Sequence, residues 1–259
     1  MKKISLLIPV YNEEESIDAL YAALCPLLDN KHPGLKGAEY EWEVILVDDG
    51  SHDNSLAKLK KINAEDPRFR YVSLSRNFGK ESALLAGFDR MTGDAMVIID
   101  ADLQHPIDTI PDMIAQWENG FEDVYGHRLS RGKESIFRKF FTKIFYGFLN
   151  KSTRTDVLPN VGDFRLLDRK VVEAIRGLRE SQRYTKGLYC WVGFRKTGVD
   201  FETADRIAGE THMSPGRLLN LALEGITSYT TAPLRIATVL GFIISLLSIC
   251  YMIYIVCKT

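Results

Sequence analysis

The sequence lacks the features that mark several common classes of protein. It has four cysteines, none of them in a CxxC pair, so a disulfide framework is not expected and a reducing cytosol is favoured. No GxGxxG follows the first apolar run and no GxxxxGK(S/T) occurs, which argues against a dinucleotide-dependent dehydrogenase and a P-loop NTPase. The formal net charge is -1, so no overall basic field indicates nucleic acid as a partner.

Charge is also absent from the segment 236–257 near the C-terminus. As a helix this segment is about 33 Å long, enough for a hydrocarbon core of roughly 30 Å. A buried core helix is the alternative, but apolar side chains on every side argue against a helix with one wet face. We therefore expect a transmembrane helix at 236–257. The N-terminal apolar run ends at Val10, which is too short for a signal peptide and predicts a first strand instead.

What the sequence does contain is an alternation of apolar runs and amphipathic stretches. These predict strands at 3–10, 42–47, 69–74, 95–99 and 121–125, and helices at 13–28, 53–64, 79–91 and 106–117. Strands that alternate with helices of this length indicate an α/β fold with a mainly parallel sheet, covered by helices on both faces.

A basic and aromatic pattern fills the segment 133–151. An amphipathic helix of this composition suits a membrane interface, and a core helix with a solvated edge is the alternative. A second amphipathic, juxtamembrane helix is predicted at 211–235, leading into the span. We therefore expect a main cytosolic domain at 1–210, followed by the juxtamembrane helix and the transmembrane helix.

Polar clusters follow three of the predicted strands. They are Tyr11-Asn12-Glu13, Asp48-Asp49-Gly50-Ser51 and Asp100-Ala101-Asp102. In sheets of this type ligands bind at the carboxyl ends of the strands, near a switch in strand order. The coincidence of the three clusters predicts one shared site.

Asp100 and Asp102 are the strongest candidates for metal ligands. Two carboxylates this close repel each other, and burial increases the penalty. A divalent cation relieves it, and Mg²⁺ or Mn²⁺ prefers oxygen ligands that substrate phosphates partly supply. A surface turn is the alternative reading of the pair. Gln104 is a candidate third ligand, whereas His105 before Pro106 is expected to start a helix.

Two further polar groups have both a functional and a plain structural interpretation. Asp48 and Asp49 could accept hydrogen bonds from a base or a ribose, or they could cap the helix that follows. Arg128 and Arg131 suit phosphate recognition because guanidinium groups bind phosphate oxygens in pairs; ordinary surface arginines are the alternative.

Several stretches of the sequence occur together, in order, in one known family. They are IPVYNEEESI at 8–17, ILVDDGSHDNS at 45–55, LSRNFGKESALLAGF at 74–88, IDADLQHP at 99–106, GDFRLLDRKVV at 162–172, DRIAGET at 205–211 and LALEGITSYTTAPLR at 221–235. The chain thereby resembles the family 2 glycosyltransferases of the GT-A fold. Within them it is most similar to polyprenyl-phosphate glycosyltransferases, such as dolichol-phosphate mannose synthases and bactoprenol glucosyltransferases.

The resemblance implies roles for particular residues, grouped by what they would bind. The nucleotide-sugar pocket would include Pro9, Tyr11, Glu13, Asp48, Asp49, Lys80, Asp100 and Ala101. The metal and diphosphate would be held by Asp100, Asp102 and Gln104, and phosphates by Arg128, Arg131 and Arg206. Asp102 and Asp163 would be the catalytic residues, with Asp163 near the reacting centre.

The implied activity is inverting transfer of a hexose-type sugar from a UDP- or GDP-linked donor to a polyprenyl phosphate, undecaprenyl or dolichyl. Mg²⁺ or Mn²⁺ would assist, at the cytosolic face of the cell membrane, and a homo-oligomer is compatible with the resemblance. The chain departs from the family pattern at Thr211-His212-Met213, where relatives often have Ser-Lys-Tyr, and in its single span where relatives often have two. The alternatives are a polysaccharide or protein acceptor, or a noncatalytic nucleotide-sugar-binding membrane subunit.

Overall fold

The computed structural model of the chain describes residues 1–129, 161–179, 185–202 and 232–258. The first three ranges belong to one compact unit and the last range to a second. The predicted interfacial helix near 133–151 lies outside the described residues, as does the predicted juxtamembrane helix at 211–235 apart from its last four positions. The predicted domain boundary at 210 likewise stays a prediction.

Among the described residues, seven strands form one sheet. They are β1 (Lys3–Val10), β2 (Glu41–Asp48), β3 (Phe69–Ser73), β4 (Ala95–Ile98), β5 (Asp123–Arg128), β6 (Val161–Asp168) and β7 (Lys196–Phe201). Their order across the sheet is β3-β2-β1-β4-β6-β5-β7. All neighbours are parallel except the pairs that include β6, which runs antiparallel to both β4 and β5.

The helices of the larger unit connect or follow these strands. They are α1 (Ile17–Leu28), α2 (Ser55–Glu65), α3 (Lys80–Phe88), α4 (Ile110–Glu118), α5 (Arg169–Arg176) and α6 (Thr185–Trp191), with 3-10 turns at Pro33–Leu35 and Ile107–Thr109. The described part of the second unit is α7 (Ala232–Lys258). The α/β class and the mainly parallel sheet expected from the sequence are confirmed.

The core lies on both faces of the sheet because the inner strands bury apolar side chains on both sides. In β1, Leu6, Leu7 and Ile8 are all fully buried, although consecutive side chains of a strand point to opposite faces. Helix α3 packs close to this strand, since a Cβ at Gly87 would overlap the Leu7 side chain. The helix begins at Lys80, beside the carboxyl ends of the strands.

The predicted elements differ from the observed ones at several ends. The first helix begins at Ile17 instead of residue 13, because 11–16 form turns in which Glu13 O accepts from the backbone N–H of Ser16. The helix predicted from 106 begins as a 3-10 turn and becomes α-helical at Ile110. The strand predicted at 121–125 runs over Asp123–Arg128.

Helix α7 has the length and hydropathy of a membrane span. Its segment Ala237–Lys258 has 22 residues and a mean hydropathy of 2.5, and its side chains are exposed. The predicted transmembrane segment at 236–257 thus forms one continuous helix with the expected composition.

Candidate active site

The carboxyl edge of the sheet brings two of the predicted acidic residues together from distant parts of the chain. Strand β4 ends just before Asp100, and β6 pairs with it antiparallel, with Ile98 opposite Arg165. Continuing that register places Asp163, near the start of β6, beside Asp100. The reversed direction of β6 therefore brings its amino end to the edge where the parallel strands end.

Lys80 joins these two carboxylates. Its Nζ lies 2.5 Å from Asp100 Oδ1 and 3.1 Å from Asp163 Oδ2. Burial alone would lower the pKa of Lys80, but the charges of Asp100 and Asp163 outweigh it and raise the pKa. The ammonium group is therefore charged throughout the physiological pH range.

Asp163 is the more buried of the two carboxylates, with 8% of the residue exposed. Burial alone would raise its pKa, but Lys80, Lys186 and Arg165 outweigh burial and lower it. Its Oδ1 is buried and has no hydrogen-bond partner within the described parts of the chain. An ionised carboxylate with an unused acceptor is suited to orienting a hydroxyl or an N–H group of a ligand.

The turn at 100–105 after β4, called the acidic turn below, is stabilised by hydrogen bonds among its own residues. Asp102 Oδ1 accepts a hydrogen bond from Gln104 N at 3.1 Å, and Leu103 adopts a left-handed conformation with φ of 57°. Asp100 N donates to His105 Nδ1 at 3.3 Å. Ala101 between the two aspartates is buried. The turn therefore presents both carboxylates from a backbone with a defined conformation.

The sequence analysis predicted that His105 starts a helix. In the structure its ring supports this turn instead. Its ring stacks on Phe164 with centroids 4.7 Å apart and meets Phe201 edge-on at 5.9 Å. Burial lowers the pKa of His105, so the ring is neutral at physiological pH and Nδ1 is free to accept. A His between two aromatic rings could not be predicted from the neighbouring sequence.

The turn after β2 uses its carboxylates internally. Asp48 accepts from Ser51 N at 3.0 Å and from Ser73 Oγ at 2.9 Å. Asp49 accepts from Phe78 N and Gly79 N, both at 2.8 Å. Both aspartates are buried. Their predicted place in the nucleotide pocket stays a prediction, and the observed bonds give Asp49 a direct hold on the loop that carries Lys80.

The turn after β1 is linked to the turn after β2. Asn12, with φ of 53°, donates its N–H to Ser51 Oγ and accepts from His52 N through Oδ1. Glu13 N donates to Ser55 Oγ at 2.8 Å, and its carboxylate accepts from Ser16 Oγ at 2.6 Å.

These bonds bring the first two polar clusters next to each other, as the sequence predicted. Two predicted nucleotide-pocket residues at the end of β1 and just after it differ in exposure. Tyr11 has 41% of its surface exposed, whereas Pro9 lies within the strand and is half-buried.

Of the predicted phosphate-binding arginines, Arg128 is described and Arg131 and Arg206 lie outside the described residues. Arg128 ends β5 and is half-buried. Its charge is among those that lower the pKa of His105, so it lies near the acidic turn. Its role in binding phosphate stays a prediction.

Two polar residues at this edge were missed by the sequence analysis. Glu81, next to Lys80, accepts from Thr185 N at 2.9 Å and from Thr185 Oγ1, and thus ties the start of α6 to the start of α3. Burial raises the pKa of Glu81. Lys186 on α6 is close enough for its charge to lower the pKa of Asp163. The segment that holds α6 was not predicted as a helix, so neither contact was foreseeable.

The donor set of the acidic turn fits a hard divalent cation that shares its ligands with a substrate. Asp100, Asp102 and Gln104 offer carboxylate and amide oxygens, the donors that Mg²⁺ and Mn²⁺ prefer. Within the described parts of the chain, no group of three or more His, Cys, Asp or Glu residues could hold a metal ion. A cation at this turn would therefore take its remaining ligands from water and from donor phosphates.

The sheet order and its acidic carboxyl edge define the class of fold. The chain is similar to the glucosyl-3-phosphoglycerate synthase of Mycobacterium tuberculosis, solved in complex with Mn²⁺, UDP and phosphoglyceric acid. The TM-score is 0.58 at 20% identity, over 86% of this chain and 75% of that chain. At this identity the likeness shows the fold alone, which is the GT-A glycosyltransferase fold.

The sequence comparisons then give the family. Residues 5–176 match the model of glycosyl transferase family 2, and the chain belongs to that family. It is 42% identical to an uncharacterized glycosyltransferase of Synechocystis sp., over 99% of this chain and 79% of the relative. It is 40% identical to a prophage bactoprenol glucosyl transferase homolog of Escherichia coli, over 96% of this chain and 79% of the relative.

Proposed function

We propose that the protein transfers a hexose from a nucleotide diphosphate sugar to a polyprenyl phosphate at the cytosolic face of a membrane, with inversion at the anomeric carbon. The observation that carries the proposal is the meeting of Asp100, Lys80 and Asp163 at the carboxyl edge of the sheet. This edge is where ligands bind in open α/β sheets. A family 2 glycosyltransferase with this cluster has the groups needed to receive a sugar diphosphate.

The lipid acceptor is supported by two independent features. Helix α7 is long and apolar enough to cross a membrane, which would keep the catalytic domain, proposed at 1–210, beside its lipid substrate. Two similar proteins, one from Escherichia coli and one from Shigella phage SfV, are named for bactoprenol glucosyl transfer. They are 40% and 39% identical to this chain. We therefore take glucose as the first sugar and undecaprenyl phosphate as the first acceptor to test.

Catalysis needs little help from a general base because the acceptor phosphate is already anionic at neutral pH. The task of the chain is to place the acceptor in line with the anomeric carbon. Asp163, whose pKa is lowered by the neighbouring cations, is ionised and would orient the sugar or the acceptor. Lys80 would offset charge on the donor's diphosphate.

Asp100, Asp102 and Gln104 would hold Mg²⁺ or Mn²⁺, which supplies charge stabilisation of the leaving diphosphate. Arg128, together with Arg131 and Arg206, would contact phosphates of donor or acceptor, because guanidinium groups bind phosphate in pairs of hydrogen bonds. The turns after β1 and β2 would receive the nucleotide.

The proposal is tested with the purified full chain, radiolabelled UDP-glucose, Mn²⁺ and undecaprenyl phosphate. We expect label in the organic-extractable lipid, sensitive to mild acid as expected of a glycosyl phosphate. GDP-mannose with dolichyl phosphate forms the second donor and acceptor pair. Label that enters only a polysaccharide or protein fraction would favour the other acceptor class, and donor binding without any transfer would favour a noncatalytic subunit.

The variant that tests the role of the acidic turn is Asp102→Asn, which removes one carboxylate charge from it. We expect transfer to fall at least about a hundredfold, because interactions that stabilise developing charge are typically of that size. Asp112→Asn on the exposed side of α4 removes the same charge away from the site and should leave the rate unchanged. Near-normal turnover of Asp102→Asn with saturating Mn²⁺ would refute the assignment of the acidic turn.

A further inference from the structure

The ammonium group of Lys80 occupies a position that a metal ion would have to share. It contacts Asp100 Oδ1 at 2.5 Å and Asp163 Oδ2 at 3.1 Å. Asp100 is also one of the two carboxylates of the acidic turn, the ligand that a divalent cation would use. One carboxylate thus faces two alternative cations.

The backbone of Lys80 is held so that this contact is not a chance meeting of flexible chains. Asp49 accepts the N–H groups of Phe78 and Gly79, and Gly79 has φ of 92°, a conformation that glycine adopts readily. Helix α3 begins at the next residue, Lys80. The base of the side chain is therefore anchored to the turn after β2.

That anchor depends on a second close approach. A Cβ at Gly50 would lie 2.7 Å from both Arg76 Cα and Asn77 N, so the glycine allows the 76–79 loop to lie directly against the turn. The side chain of Lys80 has 40% of its surface exposed, so the fold does not enclose it completely.

In the part of the chain that the structure describes, the other cations near the cluster form no ion pair with Asp100. Arg165 is committed to Asp123, with two hydrogen bonds of 3.0 and 3.2 Å. Lys186 acts on Asp163 and Glu81 through its charge. Among the described residues, the ion pair of Asp100 is with Lys80.

We propose that Lys80 is an internal counter-cation for Asp100 and Asp163, and that a divalent cation must compete with its ammonium group for Asp100. The free protein then binds the cation weakly. A nucleotide sugar brings phosphate oxygens that ligate the cation and also give Lys80 a new anionic partner, so donor and cation bind together. The inference rests on the proposed function, and it adds that one side chain makes cation binding depend on the donor.

The experiment measures binding of Mn²⁺ alone to the full chain, from the electron paramagnetic resonance signal of free Mn²⁺. In the unmodified protein, we expect weak binding that UDP-glucose strengthens at least about tenfold. In Lys80→Met, we expect Mn²⁺ to bind at least about tenfold more tightly without nucleotide, since one adjacent unit charge commonly changes such an equilibrium by this factor or more. Transfer activity of this variant should nevertheless fall.

Two controls separate competition from a general change of charge. Lys61→Met removes an exposed lysine that pairs with Glu65 within α2 and should leave Mn²⁺ affinity unchanged. Lys80→Arg keeps the charge and should keep the weak nucleotide-free binding. Thermal unfolding of each variant reports whether it is folded. If Lys80→Met does not fold, the nucleotide dependence of the unmodified protein decides: tight Mn²⁺ binding without nucleotide overturns the proposal.

The failures of the two proposals are distinguishable. If Mn²⁺ binds with UDP-glucose but Lys80→Met gives no tighter nucleotide-free binding, the competition is wrong and the proposed function stands. If Mn²⁺ binds neither protein under any of these conditions, the metal site and the competition are both wrong.

Discussion

The two edges of the sheet each bury a carboxylate, and they use it differently. At the amino edge, Glu43 of β2 accepts hydrogen bonds from Ser5 Oγ at 2.5 Å, from Thr92 N at 2.7 Å and from Thr92 Oγ1 at 2.6 Å, and Arg70 lies 2.6 Å away. Burial alone would raise the pKa of Glu43, but these bonds outweigh burial and lower it. The carboxylate joins β1, β2 and the turn before β4.

At the carboxyl edge, Asp163 is buried to a similar extent, with 8% of the residue exposed against 4% for Glu43. Its Oδ2 pairs with Lys80, which it shares with Asp100. Its Oδ1 has no hydrogen-bond partner among the described residues. Since buried polar atoms are nearly always satisfied in folded proteins, an exception calls for a functional explanation.

The difference teaches that burial of a carboxylate does not by itself indicate function. Both residues have lowered pKa values, so the direction of the shift does not separate them either. What separates them is how completely the fold has used the acceptor oxygens. Glu43 is saturated by donors of the chain, whereas Asp163 keeps an oxygen for something outside it. The contrast predicts opposite mutational effects at the two edges.

The largest effect is expected from Asp163→Asn. Transfer should fall at least about a hundredfold, the typical loss when one preorganised electrostatic contact is removed. The free energy of unfolding should fall by less than in Glu43→Gln, because Lys80 keeps Asp100 as an ionic partner when Asp163 is made neutral. The two measurements are initial rates of lipid labelling and chemical denaturation of the full chain in detergent. A large loss of stability with full activity would reverse the contrast.

Next in size is Glu43→Gln, whose effect should fall on stability. The carboxylate of Glu43 faces the N–H groups of Thr92 and Gly93 and the guanidinium of Arg70. The amide of a glutamine would offer these donors one oxygen in place of two, so the free energy of unfolding should fall by about 2–3 kcal/mol. Activity below the unfolding transition should stay within about twofold of normal. Glu41→Gln on the same strand is the matched control. Glu41 pairs with Lys3 and is 56% exposed, so its effect should be near zero.

Part of this contrast was accessible from the sequence. Strands β1, β2 and β4 are apolar runs that end on polar clusters, so the carboxyl edge of the sheet could be predicted from the sequence pattern. Strand β6 was missed because it contains Asp163 and Arg165, and charged residues are not typical of an inner strand. In the fold Arg165 is buried through its ion pair with Asp123 and by stacking 3.7 Å above the Tyr189 ring. Tertiary contacts thus overrode a local pattern.

The contact between Lys80 and the two aspartates was likewise beyond local sequence reasoning. The resemblance assigned Lys80 to the nucleotide sugar, but its position depends on where an antiparallel strand returns to the sheet. The same holds for Asp49. Its place at a strand end was predicted, while its bonds to the loop at 76–79 depend on a chain segment that approaches from the next β-α connection.

A smaller effect should come from Asp49→Asn. Asp49 is an exception to the contrast, because it is a carboxylate at the carboxyl edge with a structural role. Asp49 lies at the carboxyl edge yet both oxygens are used by Phe78 N and Gly79 N. An asparagine keeps one of these bonds, so Lys80 should be misplaced and kcat should fall about tenfold. KM for the nucleotide sugar should remain within about twofold. A raised KM with normal kcat would instead support the predicted contact between Asp49 and the nucleotide.

The smallest effect is a change with pH in the stability that Glu43 contributes. It separates the contribution of the carboxylate's charge from that of its hydrogen-bond geometry. The folded-state pKa of Glu43 lies below its ordinary value of 4.5, so its ionised form contributes stability that is fully present above that value. The contribution is lost as pH falls through the folded-state pKa. The difference in unfolding free energy between the unmodified protein and Glu43→Gln should therefore be constant from neutral pH to about pH 5 and shrink below pH 4.5. Denaturation at a series of pH values in one detergent measures it. A difference that stays constant down to pH 3 would show that the number and direction of the hydrogen bonds, and not the charge, make the amino edge structural.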